Sequence, residues 1–132
     1  MTSLVLALIN YLKNQNIALN GNTVKVSASF PVKEAEIPCI VVAPGEGTFK
    51  EISLDGNRVL VRETADVNVY AKSHGDRDNL VEQVENVLVN PSALENDGFF
   101  YMHVTVKRTL DLPEHGVFRT VFVVEAFRFI LK

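Results

Sequence analysis

The sequence has 132 residues, of which 47% are hydrophobic and 22% charged, and its formal net charge is −3. This length suits one domain spanning residues 1–132, and the composition is that of a soluble globular protein. The negative charge argues against sequence-independent binding of nucleic acid, and the single cysteine, Cys39, excludes an intramolecular disulfide or a zinc cluster built on several cysteines.

The first thirty residues predict a helix and a short strand. The helix can be capped by Thr2 or Ser3, and the Asn-rich stretch 14–22 ends it. Residues 24–28 alternate between apolar and polar side chains, which predicts a strand that stops before Pro31. The apolar stripe of the helix consists of Leu4, Leu8, Tyr11 and Leu12.

The opening apolar run carries no targeting signal. It is too short to span a membrane, and it lacks the basic start and the small-residue cleavage site of a signal peptide. We therefore expect no membrane partner and a protein that is made and kept in a cytoplasm.

The middle of the chain predicts three strands. The apolar run 38–43 is typical of a covered strand, and residues 48–54 predict a second, followed by the hairpin-turn signal Asp-Gly-Asn at 55–57. Residues 59–71 predict a long strand that is apolar on one face. Glu63 interrupts that face, which predicts a β-bulge or a section that projects beyond the core.

A second helix follows the long strand and ends at Pro91. Three potential metal ligands, His74, Asp76 and Asp78, lie at its start. Their spacing matches no metal-binding motif, so we interpret Asp76 as the helix N-cap and Asp78 as a first-turn acid that suits the helix dipole. The apolar side of this helix consists of Leu80, Val81, Val84, Val87 and Leu88.

The last third of the sequence predicts a long hairpin. Its strands cover residues 98–111 and 117–131, joined by residues 111–116. The order is helix, three or four strands, helix, two strands. It indicates an α+β fold, with a mainly antiparallel sheet of four to six strands and two helices packed on one face. One face of the first hairpin strand is predicted to hold Phe100, Met102, Val104, Val106 and Leu110.

No local motif supports catalysis. The segment GEGTFK at 45–50 lacks the spacing of a phosphate loop, and no helix follows it. His115 and Glu114 lie in a hairpin turn without a nucleophile nearby in sequence, and Cys39 lies in an apolar run typical of a buried thiol. We expect no enzymatic activity, no bound metal and no cofactor.

Charge is distributed unevenly along the chain. Residues 76–97 contain six acids and one base, a net of −5, whereas residues 98–132 contain five bases and three acids, a net of +2. Opposed patches of this kind can guide one copy of a protein onto another. The hairpin strands are also longer than a small sheet needs, and long open edges favour self-assembly.

The layout resembles the tail terminator, or tail-to-head joining, proteins of long-tailed bacteriophages. The resemblance spans nearly the whole chain. It includes the opening helix SLVLALINYLK, the segment IPCIVV, the strand VNVYAKS leading into the helix DNLVEQVENVL, and the closing strand GVFRTVFVVEAF. It implies an α+β subunit that forms a ring, commonly a hexamer. Such a ring caps the tail tube, ends its growth and docks to the head connector or stopper protein.

The same resemblance implies that genome DNA passes through the ring without specific binding, and that the protein ends up at the head-proximal end of the tail in the virion. An acidic stripe on the second helix, Asp78, Glu82 and Glu85, would face the lumen and repel phosphate. Basic residues of the hairpin, among them Arg128, would meet acids of the next copy. The predicted interface with other copies, tube or connector consists of Glu46, Phe49, Lys50, Arg58, Arg62, Lys107, Arg108, His115 and Arg119. We expect the loops 44–54 and 111–119 to be mobile in the free subunit and ordered on docking.

Two alternatives remain open. One is a small-molecule-binding or enzymatic domain, whose pocket between sheet and helices would use His103, Tyr101 or Glu63. The other is a different phage component, such as a tail tube or head-connector protein. The two well-formed helices disfavour a tube protein.

Overall fold

The structure, a computed structural model, describes residues 3–28, 30–31, 36–45, 50–53, 58–90 and 92–131, and of residues 50–53, 58 and 131 it describes the main chain. Two α-helices and eight strands are the main elements of these parts of the chain. In order they are α1 (Leu4–Lys13), β1 (Ala18–Leu19), β2 (Asn22–Thr23), β3 (Lys25–Ser27), β4 (Cys39–Pro44), β5 (Lys50–Ser53), β6 (Arg58–Ala71), α2 (His74–Leu88), β7 (Phe100–Thr109) and β8 (Phe118–Leu131). The predicted turn at 55–57 lies outside the described residues.

The main sheet has six strands, in the order β3-β4-β6-β8-β7, with β5 beside the first part of β6. Strands β3 and β4 run parallel, and the other described pairs of this sheet run antiparallel. Both helices pack on one face of it, so the predicted α+β fold with a mainly antiparallel sheet is confirmed. None of the described helices is long and apolar enough to cross a membrane.

Helix α1 forms because its apolar residues recur at helical spacing and its start is capped. The Ser3 side chain accepts a hydrogen bond from the Leu6 amide at 3.2 Å, which selects Ser3 from the two predicted caps. Leu4, Leu8 and Leu12 are almost fully buried against the sheet. The Tyr11 hydroxyl donates to the Val87 carbonyl of α2 at 2.7 Å, and this bond ties the two helices together.

The main core lies between the helices and alternate residues of β6 and β8. Phe122 and Val124 of β8 pair directly with Val67 and Ala65 of β6, and all four side chains are fully buried. Burying a side chain as large as Phe122 contributes roughly 1.5–3 kcal/mol. A smaller apolar cluster, on the opposite face of the sheet, consists of Ile37, Cys39, Val41 and Tyr70.

A small hairpin between α1 and β3 was not predicted. Strands β1 and β2 are joined by Asn20 and Gly21, which have φ values of +52° and +81°. Both angles suit the tight two-residue turn for which Asn-Gly is the usual sequence. The Gln83 side chain of α2 holds β1 by bonding both the amide and the carbonyl of Ala18, at 3.2 and 2.8 Å. The Asn20-Gly21 pair was the sequence signal for this hairpin, but the stretch 14–22 was interpreted only as the end of the first helix.

The predicted alternation along β7 is wrong because the strand contains two irregularities. Its pairing with β8 shifts between Phe100 and His103, and again between Val104 and Val106. Each shift adds one residue to β7 and moves the following side chains to the other face. As a result Met102 is buried, whereas Phe100 is 39% exposed and lies on the outer face of the sheet.

Candidate functional site

The corner between β6 and α2 is a helix cap. The Ser73 hydroxyl accepts a hydrogen bond from the Asp76 amide at 3.2 Å, and α2 begins at His74. The prediction that Asp76 is the N-cap is therefore wrong, because Asp76 is the third residue of the helix. Ser73-x-x-Asp76 has the spacing of a capping box, which was the signal for the correct cap. Among the residues described, no group of three or more His, Cys, Asp or Glu side chains could hold a metal ion.

The turn end of the closing hairpin contacts the same corner. Arg77 Nη1 donates to both carboxylate oxygens of Asp111, at 2.5 and 2.6 Å, and Asp111 also accepts from the Arg119 amide at 3.2 Å. The His74 ring packs on Phe118 with their centroids 4.3 Å apart. Hydrogen bonding by Arg77 lowers the pKa of the Asp111 carboxyl, and the same bond raises the pKa of Arg77. Sequence reasoning had given Arg77 no role.

The predicted acidic stripe lies on α2, but two of its three carboxylates are paired. Asp78 accepts hydrogen bonds from Arg77, and Glu85 accepts one from Lys107 of β7 at 3.0 Å. Glu82 is exposed and makes no ion pair with any residue that the structure describes. Lys107, a predicted interface residue, is therefore already bound to an acid of its own chain.

Glu63 explains the polar interruption of β6 without a bulge. The pairing of β6 with β8 is unbroken from Arg58↔Leu131 to Ala71↔Phe118, and Glu63 is buried, so both predicted explanations are wrong. One carboxylate oxygen accepts from Arg128 Nη2 at 2.5 Å, and the other accepts from the Leu4 amide at 2.9 Å. The carboxylate thus meets a guanidinium and the positive end of the α1 dipole.

Arg128 is buried by the same arrangement. Its guanidinium lies over the Phe99 ring, 4.7 Å from the centroid, and it is only 7% exposed. The expectation that Arg128 meets acids of another copy is therefore wrong, because its guanidinium pairs with Glu63 inside the core.

A cavity of about 480 Å³ opens beside Glu63, where the start of α1 faces the ends of β3 and β4. Its wall is mainly apolar. The side chain of Glu63 contributes a carboxylate, but both oxygens already accept hydrogen bonds. The residues lining the cavity are Ser3, Leu4, Val5, Ala28, Pro44, Glu63 and Thr64.

His103 and Tyr101 lie away from this cavity. His103 Nε2 is 3.3 Å from Glu125 on the outer face of the sheet, and Arg62 Nε donates to the same carboxylate. The Tyr101 ring lies beside that of His103, with a centroid distance of 4.6 Å. The structure therefore does not bring together the three residues proposed for a pocket between sheet and helices, since Glu63 lies beside the start of α1, whereas Tyr101 and His103 lie on β7 near the end of α2.

The start of β7 carries an exposed apolar surface, which we call the apolar edge. Tyr101 and Val89 are 59% and 68% exposed, and Phe129 is 47% exposed. The Phe100 and Phe129 rings stack at 5.1 Å, and the Phe127 ring lies 6.2 Å from Phe100 and 6.4 Å from Tyr101. Strand β7 is also the last strand on this side of the described sheet. The apolar edge comprises Val89, Phe100, Tyr101, Phe127 and Phe129.

The predicted interface residues are spread over several surfaces. Glu46 and Phe49 lie outside the described residues, and Lys50 and Arg58 lie in β5 and β6, where only the main chain is described. Arg62 is bound to Glu125 on the outer face.

The remaining predicted interface residues lie on the closing hairpin. Arg108 is exposed and forms no ion pair with any described residue, and His115 is exposed in the turn. Arg119 is half-buried, with Nη1 at 3.4 Å from the Tyr70 hydroxyl and its guanidinium carbon 5.7 Å from the centre of that ring. Sequence reasoning missed Val89 and Tyr101 as surface residues.

Two further segments considered for chemistry have structural roles. A side chain at Gly45 would place its Cβ 2.7 Å from the Thr64 hydroxyl, so this glycine permits β4 to approach β6 closely. Cys39 is buried, and burial together with the nearby Glu36 raises the pKa of its thiol to about 11. A thiol with that pKa is almost entirely protonated at neutral pH and is a poor nucleophile.

No protein-family model matches this chain, and comparison with curated proteins likewise gives no match.

Proposed function

We propose that this chain is a structural subunit of a long-tailed bacteriophage that assembles into a ring, caps the tail tube and joins the tail to the head connector. The observation that carries the proposal is the apolar edge, where Tyr101, Phe129 and Val89 are each about half exposed or more. Exposed, contiguous rings at an open sheet edge are typical of a surface that a second chain covers. The resemblance of the sequence to tail terminator proteins is the reason for placing this assembly at the phage tail.

The distribution of charge supports a head-to-tail arrangement. The acidic residues of α2 lie on the helix side of the sheet, whereas Arg108 pairs in register with Val121 on the outer side. A contact between two different surfaces of identical subunits is heterologous, and it closes into a ring when the rotation between neighbours permits. Glu82, exposed on α2, and the net charge of −3 favour a lumen that does not retain DNA.

The decisive experiment combines microscopy with a capping assay. Purified wild-type protein should form rings with an open centre in electron micrographs, and adding it to elongating tail tubes should stop their growth. Arg108→Glu should remain folded by circular dichroism but leave overlong tubes or tails without heads, because it reverses an exposed charge on the hairpin.

Lys25→Glu is the matched control, since Lys25 is exposed on β3 at the opposite edge of the sheet. A wild-type protein that stays monomeric at all concentrations and does not alter tube length would overturn the proposal. Exposed charges contribute at most about 1 kcal/mol each, so a double variant with His115→Glu, also exposed on the hairpin, provides the stronger test.

The cavity beside Glu63 favours one competing function, the binding of a small apolar molecule. Its volume of about 480 Å³ is within the range of ligand pockets. A thermal-shift screen with small apolar compounds separates the two functions. A ligand-binding domain gains stability with a compound at any protein concentration, whereas a ring-forming subunit gains stability with its own concentration.

A further inference from the structure

A groove lies between the C-terminal end of α2 and the start of β7. It has a volume of about 280 Å³ and is lined by Leu88, Val89, Tyr101, Met102, His103 and Val104. No described strand pairs with the outer side of β7, so the groove is open along the edge of the sheet. Its rim is formed by the two most exposed apolar side chains of the apolar edge, Val89 and Tyr101.

The backbone of Tyr101 holds its side chain at this rim. Tyr101 has φ = +55°, in the left-handed region that non-glycine residues rarely adopt, and it lies where the pairing of β7 with β8 shifts by one residue. Such a conformation is strained and is maintained by its surroundings. Tyrosine is also enriched in protein interfaces, where its ring provides a large contact area with little loss of side-chain freedom.

The opposite end of the same hairpin carries an exposed apolar tip. Leu110 and Leu112 are 42% and 50% exposed, and Leu112 forms an isolated bridge with Val117. The turn continues as a short 3-10 helix, Pro113–His115, and the contact of Asp111 with Arg77 fixes the base of the tip. The tip is therefore a preformed projection, so its docking would order few new groups.

The charges around groove and tip are complementary. The segment joining α2 to β7 carries Glu95 and Asp97, and the last turn of α2 contains no base to offset the negative end of its dipole. The tip is flanked by Arg108 and Arg119, neither of which has an ion pair among the described residues, and these two positive charges outnumber the one negative charge of Glu114 in the turn. The region around the groove of one copy therefore attracts the hairpin tip of a second copy.

Groove and tip cannot meet within one subunit. Leu112 lies about nine residues beyond the groove residue His103 along an extended strand, which corresponds to roughly 30 Å. We propose that the hairpin tip of one copy inserts Leu110 and Leu112 into the groove of the next copy. This inference rests on the proposed ring, and it names the contact that would build it.

Cysteine cross-linking of the full chain tests the contact. A Val89→Cys/Leu112→Cys double variant, oxidised mildly at millimolar protein concentration, should give a ladder of disulfide-linked species in non-reducing electrophoresis that ends at the subunit number of the ring. Within one chain the two cysteines lie too far apart to bond, because a disulfide needs Cα atoms closer than about 7 Å. The native Cys39 does not interfere, since it is buried and its pKa is raised to about 11.

Leu6→Cys/Leu112→Cys is the matched control, because Leu6 is 49% exposed on α1, away from the groove. It should remain monomeric. Mixing the two single variants Val89→Cys and Leu112→Cys provides an independent measurement and should give linked dimers that neither variant gives alone. Monomers from both experiments overturn the proposal, and so do dimers from either single variant alone, which would indicate a symmetric contact.

The outcome separates this contact from the proposed function. Open rings in micrographs without cross-links would retain the ring and reject the tip-in-groove contact. A cross-linked ladder from a protein that fails to cap tubes would retain the contact and reject the tail function.

Discussion

Glu63 and Arg128 form an ion pair in the core that is also bonded to the backbone of α1. Their side chains are 10% and 9% exposed. Removing two charges from water is costly, and the attraction between them offsets that cost only when the geometry is good and further hydrogen bonds are made. Here the second carboxylate oxygen accepts from the Leu4 amide, so the pair also fixes the position of α1 on the sheet.

Glu63→Gln should lower the free energy of unfolding by about 3 kcal/mol, because it replaces the charged acceptor of the buried Arg128 guanidinium with a neutral amide. Urea unfolding followed by circular dichroism measures the loss. Glu85→Gln is the control. It breaks a pair with Lys107 in which both side chains are nearly half exposed, and it should cost no more than about 1 kcal/mol. Equal losses in the two variants would show that burial of the pair does not matter.

Ser73 and Asp76 contribute differently to the start of α2. Ser73→Ala should cost about 1 kcal/mol, because it removes the side-chain acceptor for the Asp76 amide. Asp76→Ala should cost about half as much, since Asp76 acts mainly through the helix dipole. Thermal melting of both variants, and of wild type with a chelator, measures this. A larger loss of stability for Asp76→Ala than for Ser73→Ala, or a lower melting temperature of wild type with a chelator, would support a metal site at this corner.

At the scale of elements, the closing hairpin is joined to α2 by the Arg77–Asp111 contact. Because the folded pKa of Asp111 lies below the 3.8 of a free carboxyl, its stabilising contribution is present at neutral pH. It is lost as pH falls below 3.8 and passes through the lowered folded pKa. Acid should therefore weaken the attachment of the turn end of the hairpin to α2.

The measurement is the difference in melting temperature between wild type and Asp111→Asn as a function of pH. The difference should be constant well above pH 3.8 and should shrink as pH falls below that value. Glu114→Gln, in the same turn, should match wild type throughout, because Glu114 has no ion pair among the described residues. A difference that does not shrink at all below pH 3.8 would mean that Asp111 acts through its shape and not through its charge.

The elements that sequence predicts well are those with a long, regular period. Helix α1 and strand β6 each bury one side, so their apolar residues recur at a regular spacing that only Glu63 interrupts. The two shifts in β7 could not be predicted, because they depend on how β7 fits against β8. The Asn20-Gly21 hairpin was overlooked although its turn signal was present.

The candidate site was less predictable for a related reason. The sequence does not show which acid a basic residue pairs with. Lys107 binds Glu85, and Arg128 binds Glu63, 65 residues away. The exposure of Val89 and the positive φ of Tyr101 depend on the same tertiary fit. The predicted mobility of loops 44–54 and 111–119 stays a prediction, although the contacts of Asp111 hold one end of the second loop.

At the scale of the whole molecule, the apolar edge should control association. A Phe100→Thr/Phe129→Thr variant should keep the circular dichroism spectrum of wild type, since both rings are substantially exposed, but its mass in solution should depend less on concentration. Sedimentation velocity over a hundredfold concentration range is the measurement. Phe30→Thr, at a position 51% exposed elsewhere on the surface, is the control and should associate as wild type does. Unchanged association of the double variant would exclude the apolar edge from the contact.

The position of β8 inside the sheet has a consequence for synthesis of the protein. β8 lies between β6 and β7, yet it follows both in the chain. A nascent chain therefore carries β6 without this neighbour while the segment from α2 to β8 is synthesised, which takes roughly three to twelve seconds at ordinary rates of translation. During that time a growing chain can pair with another one on the same messenger, so slower translation of the β8 codons should increase the insoluble fraction in the host.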